Sequence, residues 1–372
     1  MKGNLKRISV DKLRSGMFLG TDVINSNGIV LIGKNTVISE KIILRMKLYQ
    51  ITSVVIIEQE QPEPEIVPET IFVSPIDEQV VSVAPEIIEP ATVAFNEFKE
   101  AYTEKQKIVQ EKLLEISNGG NIPLDDLLDI STSLLSSLKT KSDLFNYLYN
   151  LRVTDDYTYS HSVNVALLCN VFGFWLNLKK PDLDNLTIAG LLHDIGKVQV
   201  NQRLLNKPGK LTKAEFDQIK MHAKIGYLMV QDQNISEDIK YGILMHHEKM
   251  DGSGYPLRLK DEDINRFGKI IGIVDIYDAM TSNRSYHKKF SPFQVIHIFE
   301  KESFGLLDLK YLFVFLENIA HNYVGKMVRL SNGVEGKIFF INKHSPSRPL
   351  IQVGDEILDL SELLDVTIEE IL

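Results

Sequence analysis

Cysteine is almost missing from this sequence: Cys169 stands alone. A disulfide framework needs at least a pair and a thiolate zinc ribbon needs more, so both are excluded. No stretch approaches the roughly 20 apolar residues of a membrane span, and the N-terminus MKGNLKRISVDKLRSG lacks the apolar core of a signal peptide. Positive charge is also scarce. The 41 Lys and Arg face 50 Asp and Glu, giving a formal net charge of −9. A general binder of nucleic-acid polymers or anionic membranes leans the other way. A small anionic ligand, which feels only local charge, remains compatible. Between Lys47 and Lys99 no basic residue occurs, while Pro62, Pro64, Pro68, Pro75, Pro85 and Pro90 punctuate an acidic run. Such composition buries too little to fold and reads as an extended linker. The expectation is a cytoplasmic protein of two or three domains.

What is present divides the chain into four. Residues 1–57 read as a small N-terminal α/β domain. ISVDKL, MFLGTDVI and GIVLI look like short strands, Asn25 to Gly28 a turn, and 39–49 a helix capped by Ser39, with ITSVVII as closing strand. This part has no catalytic constellation and suits regulation or docking. Residues 58–95 are the linker. From 96 to 322 the apolar period is helical, with helices expected over 96–117, 124–139, 143–151, 160–178, 183–195, 212–231, 236–248, 266–281, 291–302 and 308–322. Thr212 and Glu215 form a capping box. Residues 323–372 return to strand signals around an Asn332-Gly333 turn and read as a small C-terminal β-rich appendage. The fold class is mainly α.

The chemistry concentrates in the helical part. His246 and His247 end a helical segment and run into the Gly-rich loop of MHHEKMDGSGYP. His161, His193, Asp194 and His222 lie upstream and Asp275 downstream. His193 follows Leu186 and Gly190 on one face, His222 follows Glu215 and Ile219, and His246 and His247 follow Ile243. Asp275 follows Ile271, and His161 is expected to start its helix after Ser160. One histidine on an apolar face is usually a hydrogen-bonded core residue. Five of the nine, placed alike with two aspartates, argue for a shared metal centre, because burying them unpartnered costs several kcal/mol. Imidazole and carboxylate without thiolate suit Fe, Mn, Zn, Ni or Co. Seven ligands exceed one ion and fit two divalent metals about 3.5–4 Å apart, with Asp194 bridging. The reaction such a pair serves best is attack of a metal-bridging hydroxide on a phosphate ester.

YTYSHSVNVA (157–166), LLHDIGKVQV (191–200), LLNKPGKLTKAEFDQIKMHAKIG (204–226), HHEKMDGSGYP (246–256) and IVDIYDAMTSNRSY (273–286) resemble the HD-GYP family, a branch of the HD-domain metal-dependent phosphohydrolases. The resemblance covers about 145–320, and residues 5–57 look like the small domain often fused to that family. It implies an all-helical HD-type fold and a phosphodiesterase that hydrolyses cyclic di-GMP to pGpG or onward to GMP. It carries metal ligation onto His161, His193, Asp194, His222, His246, His247 and Asp275. His193, Asp194, Asp275 and His161 are assigned mainly to one ion, and Asp194, His222, His246 and His247 to the other. The metal it implies is Fe or Mn. Lys197 matches the lysine that meets a substrate phosphate, making it, with Asp194, a candidate for the chemistry. Arg284 matches the phosphate-binding arginine. Three residues on, where the family has Arg or Lys, stands His287, and the adjacent Lys288 is the substitute. Where some members carry a glutamate for a third metal, this chain has Tyr157, which favours two metals and pGpG.

Tyr255, in the Gly254-Tyr255-Pro256 loop, is placed to stack on a guanine or to meet a partner protein; the N-terminal domain is the other candidate docking surface. Asp278 reads as orienting a ligand. His297, His321 and His344 receive no role. Two alternatives accompany the phosphodiesterase reading: hydrolysis of another cyclic dinucleotide such as cyclic GMP-AMP, and a non-catalytic cyclic-dinucleotide receptor, which loss of ligands would favour.

Overall fold

A computed structural model describes residues 4–14, 16–24, 30–38, 42–43, 46, 51, 53–58, 93–151, 157–207, 209–282 and 289–372. The turn expected at Asn25 to Gly28, nearly all of the linker, and Arg284, His287 and Lys288 lie outside them. Of the helix expected over 39–49, residues 42, 43 and 46 are described and are helical.

Two compact units result, Met1–Ile87 and Ile88–Leu372. In the first, β1 (Asn4–Ser9) and β2 (Phe18–Leu19) both pair antiparallel with β5 (Ser53–Glu58), and β3 (Val23–Ile24) pairs with β4 (Val30–Ile32). The strand expected over ISVDKL breaks at Ser9, because Val10–Lys12 turn as a 3-10 helix that drops Val10 and Leu13 into the core. That core also holds Leu19, Ile38, Met46, Val54 and Ile56.

The second unit carries eleven α-helices among the described residues. They are α1 (Val93–Ser117), α2 (Leu124–Ser136), α3 (Lys141–Asn150), α4 (Tyr157–Trp175), α5 (Lys180–Leu192), α6 (Gln202–Leu205), α7 (Lys213–Val230), α8 (Glu237–Met245), α9 (Arg266–Thr281), α10 (Pro292–Glu302) and α11 (Leu309–His321). None of the described helices is long and apolar enough to cross a membrane. The order and type of the long helices follow the periodicity. α4 is central: Ser160 to Cys169 are buried without interruption, so the helix has no solvent face over that stretch. It starts at Tyr157, which puts His161 in the second turn rather than at the helix start. The Thr212/Glu215 capping box opens α7 as expected, and Thr140 with Asp143 forms another at α3.

Two helices end earlier than their apolar pattern. α5 stops at Leu192 with His193 as C-cap, and α8 at Met245 with His246 as C-cap. After Asp194 the chain tightens into a 3-10 turn, Ile195–Gln199, that lies against α7. A Cβ on Gly196 would fall 2.0 Å from the His222 carbonyl oxygen. Only glycine permits that approach.

The C-terminal residues form a five-stranded antiparallel sheet of order β10-β6-β7-β8-β9, from β6 (Met327–Leu330), β7 (Glu335–Phe340), β8 (Leu350–Val353), β9 (Glu356–Asp359) and β10 (Ile368–Ile371). Its inward residues Val328, Leu330, Ile338, Ile351 and Ile368 join the same hydrophobic cluster as Phe293, Ile296, Phe315 and Ile319 of α10 and α11.

Candidate metal centre

The ends of α5 and α8, the middle of α7 and the inner faces of α4 and α9 converge on Asp194, which is 2% exposed. Its two oxygens look in different directions. Oδ2 faces His193 Nε2 at 3.2 Å, His161 Nε2 at 3.7 Å and the Lys197 ammonium, which hydrogen-bonds to it. Oδ1 faces His222 Nε2 at 3.2 Å and His246 Nε2 at 3.9 Å. The carboxylate therefore divides two lobes. The candidate donor atoms of Asp194, His222, His246 and His247 all lie within 4.8 Å of one another, and so do those of His161, His193 and Asp194. Asp275 falls in neither group. It reaches across both, with Oδ1 3.0 Å from His161 Nε2 and Oδ2 3.7 Å from His247 Nδ1.

Backbone carbonyls set the state of three rings. His193 Nδ1 donates to Gly190 O at 2.8 Å, His222 Nδ1 to Ile219 O at 2.7 Å and His246 Nδ1 to Ile243 O at 2.8 Å. A carbonyl only accepts, so each Nδ1 carries the proton and each Nε2 presents a bare lone pair when the ring is neutral. Each acceptor lies three residues back, the spacing that aligns a helical side chain over its own preceding turn. His161 Nδ1 hydrogen-bonds to Asp278 Oδ2 at 2.7 Å, again turning Nε2 into the site.

Those lone pairs test whether cations fit. His222 Nε2 and His246 Nε2 are 3.3 Å apart and point at each other. Two bare acceptors at that distance repel unless a positive charge lies beside them. His193 Nε2 and Asp194 Oδ1 are buried without a hydrogen-bond partner in alignment. The donor set, imidazole Nε2 held by an Nδ1–H bond together with carboxylate, is that of a divalent transition-metal site.

Electrostatics agree. Burial opposes charge on Asp194, but His193 and Lys197 hold its carboxyl well below the usual range. Burial likewise opposes charge on Asp275, and the His161 hydrogen bond with the nearby His247 holds it low. Burial, followed by His247, His193 and His222, pushes His246 well below an ordinary imidazole. Burial chiefly carries His247 down to about 3, against Asp275. Neutral imidazoles beside ionised carboxylates are the ligand forms a metal takes. At His161 burial lowers the pKa, but hydrogen bonds to Asp275 and Asp278 outweigh it and raise it to about 9.

Around this centre, Tyr255 lies against His247, ring centroids 4.6 Å apart, and burial raises its phenol pKa. Lys220 Nζ sits 5.8 Å from the Tyr255 ring centroid and 4.6 Å from that of Phe216. Glu248 was not singled out in the sequence, yet it is 6% exposed and holds the loop. Its carboxylate accepts from the amides of Leu257 at 2.6 Å, Arg258 at 3.1 Å and Leu259 at 3.0 Å. The available signal was a third polar residue directly after the His246-His247 pair. Gly254 closes the loop where a Cβ would fall 2.4 Å from Lys249 N. His297, His321 and His344 are absent from both donor groups.

A mainly helical fold around a buried His/Asp cluster able to hold divalent metal defines the class. Residues 124–309, half of the chain, match the family model described as HD domain. The chain belongs to the HD-domain family. HD-domain phosphohydrolases bind divalent metals. The chain is 34% identical over 226 residues to a Pseudomonas aeruginosa protein named a cyclic di-GMP phosphodiesterase, covering 60% of this chain and 54% of that protein. It is 36% identical over 150 residues to one of the same name from Thermotoga maritima, covering 38% and 40%. It is 34% identical over 168 residues to a 3'3'-cGAMP-specific phosphodiesterase of Vibrio cholerae, covering 45% and 39%. The chain thus spans about half the length of the curated relatives it matches. Among solved structures, an HDG"Y"P protein from Bdellovibrio bacteriovorus is similar with a TM-score of 0.48 at 15% identity, covering 84% of this chain and 98% of that one.

Proposed function

We propose that this chain is a metal-dependent phosphodiesterase that hydrolyses cyclic di-GMP to pGpG. The observation that carries the reading is the set of bare imidazole nitrogens facing one another across Asp194, His222 against His246 on one side and His193 on the other. Support for the substrate comes from relatives named cyclic di-GMP phosphodiesterases. Two divalent ions, Fe or Mn, supply charge to polarise a phosphoryl oxygen and make a bound water acidic. His161, His193, Asp194 and Asp275 are proposed to hold one, and Asp194, His222, His246 and His247 the other.

The remaining groups of the chain act on the dinucleotide. Lys197, part-exposed beside Asp194, is proposed to meet a scissile phosphate oxygen. Tyr255 offers a guanine a ring face already braced by His247. Arg284 and Lys288 are proposed as phosphate contacts on the strength of the motif, Arg284 through paired charge-assisted bonds. Tyr157, where a third-metal glutamate would stand, favours stopping at pGpG. The setting is proposed to be the bacterial cytoplasm, with the Gly254-Tyr255-Pro256 loop and the N-terminal unit as surfaces for a protein partner.

A second reading, 3'3'-cyclic GMP-AMP as substrate, is favoured by relatives named for that specificity. Both substrates share the backbone that these groups engage. A receptor without turnover is disfavoured because no ligand position is lost. The test is metal analysis of anaerobically purified protein together with chromatography of the products from each cyclic dinucleotide. Two ions per chain and pGpG from cyclic di-GMP are expected. Two bound ions without turnover of either substrate would overturn the enzyme reading.

A further inference from the structure

The hydrogen bonds behind His161 run deeper than one partner. Asp278 Oδ2 accepts from His161 Nδ1, while its Oδ1 accepts from Asn164 Nδ2 at 2.9 Å and from Ser282 Oγ at 3.3 Å. Nothing on this carboxylate donates, so the Asn164 amide must turn its NH₂ toward Asp278 and its oxygen away. That oxygen meets the Tyr102 hydroxyl at 2.6 Å, and the Ser160 carbonyl shares the same hydroxyl at 2.9 Å. His161, Asn164, Asp278 and Tyr102 are all 5% exposed or less. The polarity is consistent throughout: Tyr102 donates to Asn164, Asn164 to Asp278, and His161 to Asp278. Each bond restricts the next group to one orientation, and the last fixes the ring that turns Nε2 toward Asp194 and Asp275.

Tyr102 stands on α1, ahead of the residues 124–309 that match the HD-domain model. Its ring packs against Phe98 on the same helix, centroids 6.0 Å apart. The Ser160 carbonyl alone would satisfy a buried tyrosine hydroxyl. The additional approach to Asn164 is what couples α1 to the site.

We infer that Tyr102 is a positioning residue for the metal centre, acting through Asn164 and Asp278 on the orientation of the His161 ring. The inference rests on the reading of the cluster as a metal centre. Outer partners of ligating histidines typically change metal affinity by about 10–100-fold. Tyr102, two bonds further out, should matter less.

The experiment is titration of the metal-free full-length chain with Mn²⁺ in competition with a chelator, alongside thermal unfolding, for wild type, Tyr102→Phe, Asn164→Ala, Asp278→Asn, the pair Tyr102→Phe/Asp278→Asn, and Tyr147→Phe as a hydroxyl removed outside the chain of bonds. Asp278→Asn should weaken one of two Mn²⁺ sites by about 10–100-fold, and Tyr102→Phe the same site by roughly 3–10-fold. The pair should be no weaker than Asp278→Asn alone, because the tyrosine acts only through that carboxylate. Tyr147→Phe should bind as wild type. If Tyr102→Phe lowers the unfolding midpoint but leaves both affinities unchanged, or if its effect adds in full to Asp278→Asn, the tyrosine is structural and the inference fails while the metal centre stands. Should Tyr102→Phe not fold, Asn164→Ala with unchanged affinities would overturn it equally. A wild type that takes up no Mn²⁺ would instead overturn the underlying reading, and this inference with it.

Discussion

Glu248 shows how much one residue can set at the rim of this site. Its single carboxylate fixes three consecutive loop amides. Those amides reach water when the carboxylate is removed, so Glu248→Ala should cost about 1–3 kcal/mol rather than unfold the chain. Hydrogen exchange at Leu257, Arg258 and Leu259 should accelerate, and unchanged protection there would refute the clamp. At Asp194 the expectation is harsher. Asp194→Ala removes the carboxylate whose two oxygens serve the two lobes, so turnover and at least one equivalent of metal should be lost together; near-normal rates would refute the proposed bridging role. The five clustered histidines were legible because periodicity placed His193, His222 and His246 three residues after Gly190, Ile219 and Ile243. Those same residues supply the carbonyls that hold each Nδ1. The support behind His161 was only partly legible: Asp278 read as orienting a ligand, but bonds spanning 117, 114 and 62 residues of sequence leave no local pattern that names its partner or reports Asn164 and Tyr102.

At the scale of elements, the helices were readable and their ends less so. α5 and α8 carry apolar period past their last helical residue, but their terminal histidines spend the last turn on the site. The tightened turn at Ile195–Gln199 leaves no periodic trace, and its requirement is a contact: glycine at 196 against α7. Gly196→Ala should push that turn off the helix, costing about 1–3 kcal/mol as overpacking and separating Asp194 from His222. Calorimetry and metal content check both, and retained metal would show that the turn can shift without cost. The start of α7 gives a pH dependence. Glu215 is held down to about 2 by its Lys207 hydrogen bond and the Thr212 amide, from an ordinary 4.5. A depressed folded pKa contributes stability above the unfolded value and loses it as pH falls through the folded one. Wild type should therefore exceed Glu215→Gln in unfolding midpoint at neutral pH, with the gap narrowing from about pH 4.5 toward 2. A gap independent of pH would assign the cap to shape instead of charge.

For the whole molecule, the C-terminal strands read from sequence as an appendage, yet their inner face continues the helical core. Val328, Leu330, Ile338, Ile341, Ile351, Leu360 and Ile368 belong to the cluster that includes α10 and α11. Ser291 Oγ at the start of α10 donates to Ile368 O, and Glu300 accepts from Ser347. Periodicity showed strands there but could not show what they cover. At about 1.5–3 kcal/mol per buried side chain, those seven together match or exceed the net stability of a typical domain. Chains ending near Gly325 should be aggregated or molten by near-ultraviolet circular dichroism, and a sharp cooperative transition would refute the shared core. The Lys197 ammonium has a broader consequence, because it leans on the same Asp194 oxygen that faces His161 and His193. It is an internal counter-ion, and a cation bound to that oxygen would compete with it for the same negative charge. On the proposed reading, the charge released at the mouth by that competition would be the one that meets a phosphate.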